Sequence, residues 1–471
     1  MNARRRMLRG GLLILAGQAG IHLLALIRNF MVARLISPED FGIAATFAVT
    51  LLLLEQASDL AMDKLLIQAP DGEDRRLQHT LQTILLIRGM VIAAILLVSA
   101  GQVAAIFGVP EARPAFAALA VVPLLRGALN LDVKRLHRHM RYGRDVGVNL
   151  CANALGAAVA IALAWAIGDY HAMLGGVIAV AAGQMLGSHL VAERRYGLSF
   201  DRAHMRRALH FGWPLMLSGL VIAATAQGDR FLVGAAAGMR DLALYAAGAM
   251  LVSAPATLLG EAIRGVGLPW LAAVQDSGPD FARRSQALLA AIGILAAGMF
   301  VPLMLLGTEI VALVFGPAYR APELLMVWLC MAVGIRILRQ WPSLAALARG
   351  DTRAALIGNA VRVVGLALGA GLLALGAGYV EMAAAIAVGE LAGLIALLPR
   401  MAHRHGVAGG AMLRLLAVPL AALALGAWPA LALAGDPLGL LLAGLVLAAA
   451  AALATLALAP ALRGMLRSLI R

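Results

Sequence analysis

Residues Ser37–Gln68 read SPEDFGIAATFAVTLLLLEQASDLAMDKLLIQ. The stretch opens on a helix-start signal. Ser37 can cap, Pro38 suits the first helical position, and Glu39 and Asp40 lie where the helix dipole favours negative charge. The apolar run that follows is long enough to enter a membrane, and it contains Glu55, Asp59 and Asp63 at four-residue intervals. On one helix they would share a face. A carboxylate in a membrane helix costs about 2.5–3.5 kcal/mol on insertion scales. Three on one stripe therefore predict a wet, interior-facing surface.

The rest of the chain supports a membrane setting. Of its 471 residues, 62% are hydrophobic and only 14% charged, and the mean hydropathy is +0.87. Soluble domains are nearer half apolar and about a quarter charged. Apolar runs of spanning length recur near 10–31, 41–67, 80–107, 114–132, 146–168 and 172–192. They continue near 210–234, 242–273, 287–308, 322–345, 354–376, 380–399, 411–434 and 437–460. The expectation is an all-α integral membrane protein of about fourteen spans. The apolar stretch after the basic N-terminus continues past Arg28 with no small-residue cleavage site, so it reads as an uncleaved first span. Cys151 and Cys330 lie in apolar runs and read as small buried hydrophobes, with neither metal nor redox spacing.

The net charge of +14 would suggest nucleic acid in a soluble protein. Here the cations alternate with the spans. One set of connections holds Arg4, Arg5, Arg6 and Arg9, then Lys64, Arg75 and Arg76, then Lys134 to Arg144, Arg194 to Arg207, Arg283 and Arg284. It goes on with Arg339, Arg349 and Arg353, then Arg400, Arg404 and Arg414, then Arg463, Arg467 and Arg471. The opposite set holds Arg34, Arg113, Arg240 and Arg320. This asymmetry predicts cytoplasmic termini and an even span count, without a nucleic-acid partner. The longest connection, near 193–209, is basic, and no loop is large enough for an extramembrane catalytic domain.

A weak internal repeat sets NFMVARLISPEDFGIAA at Asn29–Ala45 against RFLVGAAAGMRDLALYA at Arg230–Ala246, about two hundred residues apart. An even span count per half implies parallel repeats. The expected organisation is a six-helix lobe with a basic linker over 1–209, a second six-helix lobe over 210–400, and an accessory pair over 401–471.

Charges inside the spans mark the candidate site. Arg28, Arg126, Arg264 and Arg336 are candidate substrate-binding residues, because guanidinium binds phosphate oxygens with two parallel hydrogen bonds. Gln18 and His22 lie more centrally than Arg28 and favour a cavity-facing role. Arg28 and Arg88 could equally snorkel to an interface, and Arg126 has Asp132 nearby. Arg362 also lies within a span. Glu55, Asp59, Glu261 and Glu390 are candidates for proton coupling or for balancing arginines. Glu261 and Arg264 stand at i, i+3 spacing and could pair. No metal or catalytic constellation is predicted. Prolines within apolar runs, including Pro123, Pro214, Pro255, Pro269, Pro302 and Pro419, are hinge or kink candidates.

Three stretches carry a family resemblance: ARLISPEDFG at Ala33–Gly42, EQASDLAMDKLLIQ at Glu55–Gln68, and GLPWLAAVQD at Gly267–Asp276 followed by Leu313–Arg353. The chain resembles lipid-linked oligosaccharide flippases of the Wzx type, in the multidrug/oligosaccharidyl-lipid/polysaccharide exporter superfamily, over most of residues 1–400. It departs from them at Met62-Asp63-Lys64, where small or apolar residues are more usual. The resemblance implies a bacterial inner-membrane transporter, not an enzyme, with neither cofactor nor ATP site. No Walker-type motif occurs in the chain. Its cargo would be an undecaprenyl-pyrophosphate-linked oligosaccharide, flipped to the periplasmic leaflet by alternating access of two lobes, for O-antigen, capsule or exopolysaccharide export. Implied partners are that lipid, anionic membrane lipids, and the polysaccharide polymerase and chain-length machinery. A peptidoglycan-precursor flippase has similar chemistry. A cation-coupled small-molecule exporter of the same superfamily would call for an aromatic, acidic cavity, whereas only 5% of this chain is aromatic. A membrane polymerase or ligase would need a periplasmic catalytic loop.

Overall fold

The computed structural model describes residues 3–433 and 435–464. It is helical throughout that length, with no strand among the described residues. The helices are α1 (Ala3–Ala33), α2 (Pro38–Ala57), α3 (Met62–Gln68), α4 (Arg75–Ile106), α5 (Arg113–Ala118), α6 (Val121–Gly127), α7 (Asp132–Arg135), α8 (Gly143–Ile167) and α9 (His171–Val191). They continue with α10 (Arg202–Ala236), α11 (Met239–Ala272), α12 (Gly278–Phe315), α13 (Glu323–Ala348), α14 (Thr352–Ala374), α15 (Tyr379–His403), α16 (Gly409–Ala432) and α17 (Pro437–Leu458). Among the described residues, 13 helices are long and apolar enough to cross a membrane, and a bent pair gives up to 14. The chain is a multi-pass membrane protein. Of the terminal cations, Arg467 and Arg471 lie outside the described residues, as do the side chains of Arg4, Arg5, Arg6 and Arg9.

Two spans differ from their expected continuous form. The run at 41–67 breaks after Ala57, because its polar residues bond the backbone locally. Ser37 caps α2 as expected, its Oγ accepting from Asp40 N at 3.0 Å. At the other end Ser58 Oγ donates to Leu54 O at 2.7 Å, and Asp59 Oδ1 accepts from Ala61 N at 3.0 Å. Short polar side chains of this kind compete with helical hydrogen bonding. Ala61 then turns left-handed with φ 50, and α3 starts in a new direction. Glu55, Asp59 and Asp63 therefore do not form one stripe. Glu55 ends α2, Asp59 lies in the break and Asp63 belongs to α3.

The run at 114–132 is divided into α5, α6 and α7, with a 50° bend before Asp132–His139. Pro123 has no N–H to offer Leu119, whose carbonyl accepts from Val122 N at 3.0 Å. The connection near 193–209 is also shorter than expected, because α10 starts at Arg202. Asp201 caps it, accepting from Ala203 N and His204 N, each at 3.0 Å.

The chain divides into two compact units, Met1–Ala243 and Leu244–Arg471. This boundary lies beyond the expected division at 209/210. The reason is that α10 lies along α2, where glycine permits backbone contact. A Cβ at Gly212 would meet Leu60 O at 2.4 Å, and one at Gly219 would meet Gln56 O at 3.2 Å. Residues 409–458 form α16 and α17, which pack on α12 within the second unit.

The units share an internal pattern. In the first, α8 and α9 meet at Gly156, where a Cβ would lie 2.8 Å from Gly176 O. In the second, α14 and α15 meet at Gly365, where a Cβ would lie 2.8 Å from Gly389 Cα. Small residues that let backbones touch are the usual means of joining helices in lipid. The two halves of the sequence repeat also form matching junctions, α1–α2 and α10–α11, with Asp40 and Asp241 each in the first helical turn. An aromatic cluster fills part of the first unit's core, with Phe47 and Phe116 edge-to-face at 5.1 Å and Phe107 and Phe231 at 5.3 Å. In the second unit Trp341 is fully buried and donates to Ser285 Oγ at 2.9 Å. Cys330 is buried as expected, whereas Cys151 lies exposed on α8.

Candidate functional site

Each unit holds a cavity lined by intramembrane charge. In the first, a cavity of about 160 Å³ is lined by Glu55, Arg88, Pro123, Arg126 and neighbouring apolar residues. Its walls can approach because Gly89 of α4 faces α6, where a Cβ would meet Pro123 O at 2.4 Å. Arg126 is ion-paired with Glu55. Arg88 does not snorkel. It donates to Glu55 O at 2.8 Å and Ser58 Oγ at 3.1 Å, and its Nη1 lies 3.7 Å from Asp59 Oδ1. The break after α2 frees carbonyls that need donors, and Arg88 supplies them while balancing Asp59. Two arginines thus face two carboxylates, and this cavity is close to neutral.

The second cavity is different. It measures about 400 Å³ and is lined by Arg264, Arg336, Arg339, Gln340, Asp351 and Asn359, with Ser343 and two leucines. Arg336, Gln340 and Ser343 recur at helical spacing, so α13 presents a polar stripe that ends at Leu347. Beneath the cavity lies Glu390 of α15, only 1% exposed. Three guanidiniums converge on it: Arg336 Nε at 2.6 Å, Arg362 Nε at 3.0 Å and Arg339 Nε at 3.2 Å. Arg339 also donates to Asn359 Oδ1 at 3.4 Å. Asp351 is neutralised from another direction by Arg400, through contacts of 2.6 and 3.0 Å. That two-point bond holds the Asp351 carboxyl down at about 2. The cavity therefore keeps an excess of positive charge, which a phosphate oxygen would stabilise.

The eight candidate residues fall into separate settings. Arg126 and Glu55 come together, as do Arg336 and Glu390. Asp59 is joined to Arg88. Arg264 lines the second cavity, but it does not pair with Glu261, which its i, i+3 spacing allowed, and neither residue has an ion pair among the described residues. Arg28 stays on α1, donating to Asn29 Oδ1 at 3.1 and 3.3 Å, and Gln18 and His22 are exposed. Asp132 bonds Arg135 Nε at 2.6 Å, not Arg126.

Arg339 was expected in a loop but lies inside α13 and is 8% exposed. Its spacing from Arg336 was visible in the sequence, whereas its closeness to a hydrophilic stretch disguised it. Arg362 was recognised as intramembrane, but nothing local pointed to Glu390. Arg88 could not be matched to Asp59 without knowledge of the helix break.

The family of polysaccharide biosynthesis proteins matches residues 31–322. The succinoglycan biosynthesis transport protein ExoT of Rhizobium meliloti (strain 1021) is 24% identical over 300 residues, which is 62% of this chain and 60% of ExoT. The match thus spans about 60% of that relative's length. Among solved structures, the lipid II flippase MurJ in an inward closed conformation is similar with a TM-score of 0.71 at 14% identity, over 97% of this chain and 99% of MurJ. An inward-facing multidrug resistance MATE family transporter of the MOP superfamily is similar with a TM-score of 0.61 at 15% identity, over 81% of this chain and 94% of that one. These likenesses establish the transporter fold that the Wzx-type resemblance implied. With the family matched across more than half of its length, the chain belongs to the polysaccharide biosynthesis protein family.

Proposed function

We propose that this protein flips a polyprenyl-pyrophosphate-linked oligosaccharide from the cytoplasmic to the periplasmic leaflet of a bacterial inner membrane. The observation that carries the reading is the cavity in the second unit, lined by Arg264, Arg336 and Arg339, where Arg336 and Arg339 share the buried carboxylate of Glu390 with Arg362. Charge of this kind is costly in a membrane protein unless a ligand uses it. A pyrophosphate supplies several oxygens in the geometry that arginine matches. Family membership and the relative named for succinoglycan transport support an exopolysaccharide unit as cargo. A drug exporter for cations fits less well, since Glu55 and Asp59 are already balanced by Arg126 and Arg88.

The working cycle is alternating access without nucleotide chemistry, so the protein acts as a transporter and not as an enzyme. Both termini face the cytoplasm in this reading, from the loop-charge asymmetry. Alkaline phosphatase fused after Arg202 should be inactive, and fused after Arg240 active. The functional test is a deletion strain labelled for lipid-linked sugars. Intermediates should collect on the cytoplasmic leaflet, and wild type should restore export where Arg336→Ala or Arg264→Ala does not. Accumulation of a peptidoglycan precursor would identify that lipid as cargo, and normal export by both variants would remove the arginines from the site.

A further inference from the structure

We infer that a second hollow, between the α13–α14 turn and the α15–α16 turn, binds a phosphate group. It measures about 580 Å³ and is lined by Arg349, Gly350, Asp351, Arg353, Arg404 and His405. The hollow adjoins the second cavity at Asp351, which lines both, but none of its residues touches Glu390 or its arginines among the described contacts.

Three features point to an anion. The first is cationic excess. Arg353 and Arg404 are exposed and have no ion pair among the described residues, while Asp351 is held by Arg400. The second is the helix end. Asp351 is the N-cap residue of the 23-residue α14, yet its carboxylate makes no cap hydrogen bond. It is turned to Arg400 instead, at 2.6 and 3.0 Å. The first-turn N–H groups are left without the side-chain acceptor that an N-cap aspartate normally provides, and such an end favours phosphate.

The third feature is polar atoms buried without partners. His405 is only 4% exposed. Its Nε2 lies 3.4 Å from Asp351 Oδ2, and its Nδ1 has no hydrogen-bond partner. Arg349 is fixed by stacking over the Phe281 ring at 4.0 Å and by donating to His405 O at 3.2 Å, and its Nε is also buried without a partner. Buried polar atoms are normally satisfied, so an orphaned pair in a cationic hollow calls for a ligand.

Basic pockets between spans on the cytoplasmic side suit lipid headgroups, and the shared chemistry with soluble phosphate is the phosphate oxygen itself. Two arms separate the sources. In the first, native mass spectrometry counts phosphatidylglycerol retained by protein released from phosphatidylcholine nanodiscs containing that lipid. In the second, inorganic phosphate is titrated into detergent-solubilised protein and the thermal melt is followed.

The variant is Arg353→Ala/Arg404→Ala, which removes two exposed side chains. The control is Arg414→Ala/Arg463→Ala, with the same loss of charge elsewhere on the surface. The expected result in whichever arm responds is about tenfold weaker retention or binding in the variant, with the control unchanged. A response to phosphatidylglycerol alone identifies a headgroup, and a response to inorganic phosphate identifies a soluble ligand. No response in either arm overturns the site. So does an equal loss in the control, which would indicate diffuse attraction to a basic surface. A melt of the variant matching that of the ligand-free wild type excludes misfolding as the cause.

Discussion

Replacing Glu390 by Gln tests whether this side chain holds the second unit together. The substitution keeps the shape and removes the charge. Arg339 and Arg362 have side chains only 10% and 14% exposed, so neither can reach solvent easily, whereas Arg336 at 37% can partly rehydrate. The glutamine oxygen can still accept from one guanidinium, but its NH₂ then faces another donor. Removing one partner of a buried ion pair costs about 3–5 kcal/mol. For a unit of this size, each kcal/mol lowers the midpoint by about 2–4 °C, so the expected fall is about 10 °C. The assay is tryptophan fluorescence during heating in detergent, because Trp341 is fully buried on the same helix as Arg336 and Arg339. Adding Arg362→Gln to the variant removes one uncompensated cation and should recover part of the loss, since neighbouring sites are not additive. A Glu390→Gln midpoint within about 2 °C of wild type would refute the counter-ion role.

Three further outcomes are expected. Glu261 is the one candidate acid without an ion pair among the described residues, so if a proton gradient drives transport, Glu261→Gln should abolish the gradient dependence in proteoliposomes and Asp59→Asn should not; the opposite pattern would return coupling to the first unit. Gly389→Ala should destabilise the protein by about 1–3 kcal/mol, the cost of an overpacked contact, and so lower the melting midpoint, because its Cβ would lie 2.7 Å from Gly365 Cα, whereas Gly371→Ala points into open space and should be neutral or slightly stabilising. The Asp351 carboxyl, held at about 2 against an ordinary 3.8, contributes stability above pH 3.8 that is lost as pH falls through about 2. The difference in midpoint between wild type and Arg400→Gln should therefore shrink across that window, and a constant difference would contradict the pairing.

The sequence by itself determined the class of fold. Spans of about 20 apolar residues, cations collected on alternate connections, and the junction shared by Asn29–Ala45 and Arg230–Ala246 are all local in the chain. The helix start at Ser37 was legible for the same reason, since a cap is a contact between residues three apart. Only the tertiary structure decided the site. Hydropathy could not reveal that Ser58 and Asp59 would break their helix by bonding the backbone locally, nor that Arg88 would take up the freed Glu55 carbonyl. Nor could it reveal that Glu390 collects Arg336, Arg339 and Arg362, which lie 28 to 54 residues away along the chain. The cost of burying a charge is set by whatever stands opposite it in space. Sequence fixes which charges enter the membrane, and packing alone fixes which of them remain uncompensated.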